Sequence, residues 1–131
     1  MSRRELREQL FKLLFRVEFN SLEDMSEQER LFFEDEEAAK DEDAGYILDK
    51  YHKIQQKLSE IDSQLNERTE GWNTTRMSKV DLTILRLAVY EINYDDSVPT
   101  GVAISEAVLL AKKFGQDASS SFVNGILAKF A

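Results

Sequence analysis

Residues 78–93 read SKVDLTILRLAVYEIN, and their apolar positions recur with the period of an α-helix. Ser78 is a residue type that caps helix N-termini. Most of the circumference of the predicted helix is apolar, through Val80, Leu82, Ile84, Leu85, Leu87, Ala88, Val89 and Ile92. Because a helix that is apolar on most sides is usually buried, we predict a central helix here. Glu91 falls inside the apolar arc, so it needs a partner, for which Arg76 and Arg7 are the candidates.

Patterns on both sides of this segment predict an all-α chain of about seven helices and no sheet. One Pro and five Gly leave little material for tight β-turns. The other helices are expected at about residues 2–20, from 25 or 26 to before 43, at 43–58, at 62–66, from after Pro99 to 114, and from Ser119 or Ser120 to 130. Gly115 is expected just after the C-terminus of the penultimate helix. The absence of a long linker predicts one compact unit.

Composition argues against several classes of protein. The chain has no Cys and one His, so neither a disulfide scaffold nor a zinc site of the usual kinds is expected. It contains no phosphate-binding glycine loop and no nucleophile elbow, and we predict no enzyme, no catalytic residue, no metal and no cofactor. It has no apolar run of spanning length and no apolar core after Met1, so we expect no membrane association and a cytoplasmic location.

The net charge of −8 is unevenly distributed along the sequence. Residues 1–16 hold five basic and two acidic side chains, a net charge of +3, whereas residues 23–43 hold eleven acidic and two basic ones, a net charge of −9. Arg3, Arg4 and Arg7 are able to meet phosphates, and Phe15 beside them is able to stack on an unpaired base. RNA binding at the first helix is therefore compatible with an acidic chain, with the acidic segment as a separate surface. Trp72, in contrast, is expected to pack in the core under a loop.

Several motifs resemble those of the NusB family of transcription antitermination proteins. They occur in order at residues 76–91 (RMSKVDLTILRLAVYE), 98–99 (VP), 102–108 (VAISEAV), 111–115 (AKKFG) and 122–127 (FVNGIL), after an arginine-rich start. The resemblance covers the whole chain and is strongest at residues 72–127. Phe15 stands where the family often has Tyr, and Ser105 stands where Asn is usual.

The resemblance implies an all-α fold of two packed helical subdomains within one RNA-binding domain, with halves at about 1–70 and 71–131. It implies binding of boxA-type single-stranded RNA together with NusE, a small-subunit ribosomal protein, in the antitermination complex of RNA polymerase. By position, the RNA-binding candidates are Arg3, Arg4, Arg7, Phe15, Lys112, Lys113, Phe114 and Phe122. Arg76, Lys79 and Asp81 are candidates for contact with either RNA or NusE.

Two alternatives remain open at the level of sequence. The first is a helical protein-interaction module without its own RNA specificity. The second concerns assembly, because the family includes both monomers and dimers and the chain is compatible with a homodimer.

Overall fold

The computed structural model describes residues 1–35 and 42–131, and within them the regular structure is entirely helical. The α-helices are α1 (Arg3–Phe15), α2 (Met25–Asp35), α3 (Glu42–Arg68), α4 (Lys79–Tyr94), α5 (Thr100–Phe114) and α6 (Ser119–Leu127). Short 3₁₀ turns cover Arg16–Glu18, Leu22–Asp24 and Ala128–Phe130. The all-α prediction is confirmed, with six α-helices in the described ranges against about seven expected.

The chain divides into two compact units, Met1–Gln55 and Gln56–Ala131, with the division inside α3. The core of the first unit consists of side chains from α1, α2 and the first half of α3: Leu10, Phe11, Leu13, Leu14, Met25, Phe32, Ile47, Tyr51 and Ile54. The second unit contains the rest of α3 and α4 to α6. Its largest fully buried side chains include Ile61, Leu65, Ile84 and Leu85.

Helix α4 is the central helix of the second unit, as its sequence predicts. It packs against α5 and α6. Every residue from Asp81 to Glu91 except Arg86 is buried, and Glu91 is 1% exposed. Ser78 caps the helix, since its hydroxyl accepts a hydrogen bond from the Asp81 amide at 3.1 Å. The partnership of Glu91 with Arg76 or Arg7 stays a prediction.

Helix α3 is one continuous helix of 27 residues, whereas two helices were predicted between residues 43 and 66. No Gly or Pro interrupts residues 58–62, and Leu58, Ile61 and Leu65 keep the three- and four-residue spacing of a helical face. The prediction of a break was wrong because nothing in this segment disfavours helix. The predicted end of the preceding helix falls at residues 36–41, which lie outside the described residues.

The turn between α5 and α6 also differs from expectation. Gly115 follows α5 as predicted, but its φ of −93° is not left-handed. A Cβ atom at this position would lie 2.6 Å from the Ser119 Cβ and 2.7 Å from the Ala111 carbonyl oxygen, so glycine is needed for close packing. The N-cap of α6 is Ala118, and the predicted capping by Ser119 or Ser120 was wrong. The Ser119 hydroxyl accepts instead from the Gln116 amide at 3.0 Å.

Candidate functional site

The N-terminus of α1 is held by a complete capping box. The Ser2 hydroxyl accepts from the Glu5 amide at 3.1 Å, and the Glu5 carboxylate accepts from the Ser2 amide at 3.1 Å. Hydrogen bonds to the Glu5 carboxylate from the backbone and side chain of Ser2 lower the pKa of Glu5. The helix therefore starts at Arg3, so the arginine-rich residues lie in regular helix from its first position.

Three of the candidate RNA-binding arginines lie within two turns at the start of α1. Arg3 and Arg4 are exposed, and Arg7 is half-buried. Arg7 follows Arg3 by four residues and Arg4 by three, so the three guanidinium groups emerge from neighbouring positions of the helix surface. Arg16 has a different role. It donates to the Gln28 carbonyl oxygen at 3.3 Å and lies over the Phe32 ring at 5.3 Å, which ties it into the first unit.

Phe15 belongs to a row of aromatic rings that continues beyond α1. It is half-buried, stacked on Phe11 at 6.0 Å between ring centroids and edge-on to Phe19 at 5.1 Å. Eleven residues separate Phe15 from Arg4, which places the two within about 20° of each other around the helix axis. Phe19 is 61% exposed, so the end of this row is open to solvent.

The separation of acidic and basic surfaces stays a prediction. Asp43, at the end of the acidic segment, lies next to the N-terminus of the chain, because the Met1 ammonium group donates to an Asp43 oxygen at 3.1 Å. In α2, the Arg30 guanidinium bridges Glu27 and Glu34. Its hydrogen bond lowers the pKa of Glu27. Part of the acidic segment, residues 36–41, lies outside the described residues.

In the second unit, the loop between α3 and α4 presents Trp72 to solvent. Trp72 is 47% exposed, so the expectation that it packs in the core was wrong. Gly71 has a φ of +76°, a conformation that other residues adopt at a cost. The Thr69 hydroxyl lies 2.9 Å from the Trp72 carbonyl oxygen, and the Thr74 amide donates to Asn66 at 2.8 Å. These contacts fix the loop and hold the indole ring at the surface.

Trp72 brings together two of the predicted site residues. Its ring meets Phe122 of α6 edge-on, with 5.1 Å between centroids and 69° between planes. The Arg76 guanidinium lies over the indole at 5.7 Å and donates to the Gly71 carbonyl oxygen at 3.1 Å. The three side chains form a cluster of two aromatic rings and one cation, which we call the Trp72 cluster.

A cavity of about 290 Å³ opens beside the Trp72 cluster. Its lining consists of Trp72, Arg76, Met77, Ser78, Asp81, Gln116, Ala118, Ser119 and Phe122. Asp81 is 9% exposed, and its Oδ1 atom is buried with no hydrogen-bond partner among the described residues. Leaving a buried polar atom unpaired costs about 1–3 kcal/mol. A second groove of about 320 Å³ shares Trp72 and Phe122 and extends to Gly125 and Lys129.

The remaining predicted residues of the second unit lie outside the lining of this cavity. Lys112 and Lys113 are exposed in the last turn of α5, where cations suit the helix dipole. The Lys113 ammonium lies 5.5 Å from the centroid of the Phe114 ring. Lys79 is exposed at the first position of α4. The cavity therefore unites Arg76, Asp81 and Phe122, but not Lys79 or the Lys112–Phe114 segment.

Trp72 is the cavity residue that sequence reasoning missed. Its neighbours along the chain are polar or glycine, and no apolar residue follows it until Met77. Such an isolated aromatic residue in a polar loop was the available signal for an exposed ring.

Across residues 1–35 and 42–131, no group of three or more His, Asp or Glu side chains is placed to hold a metal ion. Among the helices of those same ranges, none combines the length and apolarity that a membrane span requires.

Comparison with known proteins agrees with this architecture. The sequence profile of the NusB family matches residues 4–131. The chain is 50% identical over 131 residues to the transcription antitermination protein NusB of Agathobacter rectalis, covering all of both chains. It is 51% identical over 129 residues to the protein of that name from Lachnoclostridium phytofermentans, covering 98% of each.

Solved structures show the same fold. Superposition on T. maritima NusB gives a TM-score of 0.87 at 36% identity and covers all of this chain and 91% of that one. A chain in the crystal structure of a plectonemic RNA supercoil gives a TM-score of 0.82 at 26% identity, covering 98% and 92%. The fold and its surfaces define a small all-α protein with an arginine-rich first helix and an exposed aromatic cluster. The chain belongs to the NusB family, because the family profile and the relatives match nearly its whole length.

Proposed function

We propose that this chain is a transcription antitermination factor that binds boxA-type single-stranded RNA together with NusE. The observation that carries the proposal is the 50% identity, over the full length of both chains, to a relative named as a transcription antitermination protein. In this proposal the protein binds RNA and NusE and catalyses no reaction. It acts in the cytoplasm, where the antitermination complex of RNA polymerase meets the nascent transcript.

The arginine-rich start of α1 supports RNA binding in the first unit. Arg3, Arg4 and Arg7 emerge from neighbouring helix positions, a spacing suited to successive phosphates of a single strand. Phe15, partly exposed beside them, offers a ring for base stacking. It keeps the stacking face of the tyrosine that is frequent in the family and lacks only the hydroxyl.

Two groups of side chains support RNA binding in the second unit. Phe122 is half-buried and pairs with the exposed ring of Trp72, and aromatic rings are the usual platforms for unpaired bases. Lys112 and Lys113 are exposed cations next to Phe114. Lys79 is a further exposed cation at the N-terminus of α4 and is assigned to RNA or NusE.

Few cations are available, so affinity for RNA alone is expected to be modest. A basic partner that contributes its own phosphate contacts raises RNA affinity, and linkage requires RNA to raise the affinity for that partner by the same factor. This reciprocity suits joint binding with NusE. In the competing hypothesis of a protein-interaction module, NusE binds but boxA RNA is not preferred over a scrambled sequence.

The test is a gel-shift titration of boxA RNA and a scrambled RNA, with and without NusE. Reversing two charges in Arg4→Glu/Arg7→Glu is expected to weaken boxA binding at least tenfold, because it replaces two phosphate contacts by repulsion. Circular dichroism checks that helix content is retained.

The matched control is Lys53→Glu/Lys57→Glu on α3. It makes the same change in net charge at two residues whose ammonium groups pair with Asp49 and Glu60 on the helix surface. This control is expected to bind boxA RNA within about twofold of the original chain. If both double variants lose the same affinity for boxA RNA, the loss is explained by net charge and not by Arg4 and Arg7. Equal binding of boxA and scrambled RNA would favour the protein-interaction module. Light scattering over a concentration range distinguishes a monomer from a homodimer, the alternative that the sequence leaves open.

A further inference from the structure

The aromatic row that begins in α1 ends in a ring outside the proposed RNA site. Phe19 follows Phe15 by four residues and lies just beyond the 3₁₀ turn Arg16–Glu18. Its side chain is 61% exposed, the largest exposed fraction among the large apolar side chains of the described residues. Covering a phenyl ring that faces water is favourable, so a ligand placed on Phe19 gains binding free energy.

The surrounding backbone and side chains hold this ring in place. The Phe19 amide donates to the Arg16 carbonyl oxygen at 3.1 Å, and the Asn20 side chain donates to the same oxygen at 2.9 Å. The Phe19 ring meets Phe15 edge-on, with 73° between the two planes. A ring that is already ordered loses little conformational freedom when a ligand covers it, which suits a stacking platform.

The continuity of Phe19 with Phe15 and the arginines favours a nucleobase over a protein partner. Phe15 lies about 12 Å along the helix axis from Arg7, and Phe19 continues the row one turn later. A strand whose phosphates meet the arginines and whose base stacks on Phe15 therefore brings its next base to Phe19. Leu22 is equally exposed at 60% but has no ring, so it offers no stacking face.

The charges after Phe19 indicate that the RNA contact surface ends there. Arg16, the nearest cation in the sequence, is tied to Gln28 and Phe32. Residues 19–29 contain no Lys or Arg, and both Glu23 and Asp24 are exposed. These carboxylates repel phosphate, so a strand that reaches Phe19 gains no phosphate contact beyond it.

We propose that Phe19 is a further base-stacking residue, which binds the nucleotide next to the one on Phe15 at the end of the RNA contact surface of the first unit. The RNA backbone leaves the protein at this point. The inference rests on the proposed RNA-binding function and adds to it one nucleotide subsite.

The experiment uses boxA RNAs that each carry one 2-aminopurine, at a different position in each RNA. The fluorescence of this base is quenched when it stacks on an aromatic ring. In the original chain we expect quenching at two neighbouring positions. Phe15→Leu is expected to restore the fluorescence at one of them and Phe19→Leu at the other, because leucine keeps an apolar side chain and removes the ring.

Affinity and its salt dependence give a second measurement. Phe19→Leu is expected to weaken boxA binding at least about fivefold, the lower end of the loss for one base–aromatic stack. The slope of log affinity against log salt should stay unchanged, since no phosphate contact is removed. Phe19→Tyr keeps a flat ring and is expected to keep the quenching that Phe19→Leu loses.

The matched control is Leu22→Ala, which removes an equally exposed apolar side chain three residues further along the chain. It is expected to keep both the quenching pattern and the affinity for boxA RNA. Circular dichroism checks that all variants retain their helix content.

Two outcomes would overturn the assignment. One is the absence of any RNA position whose quenching depends on Phe19. The other is an equal loss of affinity in Phe19→Leu and Leu22→Ala that occurs only with NusE present, which would assign this apolar surface to a protein partner. Retained boxA binding without a Phe19-dependent position removes only this inference, whereas a chain that does not prefer boxA over scrambled RNA contradicts the proposed function as well.

Discussion

Tyr51 is a fully buried tyrosine whose hydroxyl has no hydrogen-bond partner among the described residues. It lies on α3 in the core of the first unit, on the face predicted from its spacing with Ile47 and Ile54. Burial, reinforced by the negative charge of Glu29, raises its pKa to about 12. The neutral phenol is therefore strongly preferred in the folded chain.

The raised pKa makes stability depend on alkaline pH. An unfolded tyrosine loses its proton near pH 10, whereas the folded one keeps it until about pH 12. The contribution of Tyr51 to stability is fully present below pH 10 and is lost as the pH rises toward 12. A pKa difference of about 2 between the folded and unfolded chain corresponds to roughly 2–3 kcal/mol in the free energy of unfolding. Urea unfolding at pH 9, 10, 11 and 12 would measure it.

The variant Tyr51→Phe isolates this effect from other groups that titrate in the same range. It removes the titrating hydroxyl and leaves the ring, so its loss of stability between pH 10 and 12 should be smaller by that amount. At pH 7 it should be as stable as the original chain or more stable, because the hydroxyl makes no hydrogen bond within residues 1–35 and 42–131. Identical pH profiles for the two proteins would show that Tyr51 does not titrate as proposed.

At the scale of elements, the turn between α5 and α6 depends on the absence of a side chain at residue 115. Substitution Gly115→Ala would place a methyl group within 2.7 Å of both the Ser119 side chain and the Ala111 carbonyl oxygen. Overpacking of this kind costs about 1–3 kcal/mol, so urea unfolding should show a clear loss of stability.

Gly101→Ala in the first turn of α5 is the matched control. Apart from its chain neighbours and the backbone of its own helix, no heavy atom of the described residues would lie within 4 Å of its new Cβ, and alanine favours helix by up to about 1 kcal/mol over glycine. Its stability should therefore equal or exceed that of the original chain. If the two substitutions have the same effect, close packing is not the reason for glycine at residue 115.

At the scale of the whole molecule, the net charge of −8 coexists with local groups of exposed cations. If Arg3, Arg4 and Arg7 alone contact phosphates, the slope of log affinity against log salt for single-stranded RNA should be about −2. Participation of Arg76, Lys112 and Lys113 as well should steepen it to about −4.

Salt titration of boxA binding measures this slope directly. Between 50 and 200 mM salt, three phosphate contacts predict a loss of affinity of roughly 20-fold, and six contacts predict a loss of roughly 300-fold. Arg4→Glu/Arg7→Glu should make the slope shallower. A slope near zero would contradict the assignment of both cationic groups.

Periodicity and composition were sufficient for the helical class, the burial of α4 and the arginine-rich start of α1, because these features depend on residues close together in the chain. Local patterns failed where contacts between distant residues decided the result, as at Trp72. They also failed in α3, where the helix continues through a position at which a break was predicted. The loop exposes Trp72 because Gly71, Thr69 and Asn66 fix its course, and Phe122 reaches it from fifty residues away. The cavity at Asp81 likewise exists only because α4, α6 and this loop converge. Spacing along a chain specifies which side chains share a helix face, whereas tertiary packing alone decides which helix faces meet and which acceptor is left without a donor.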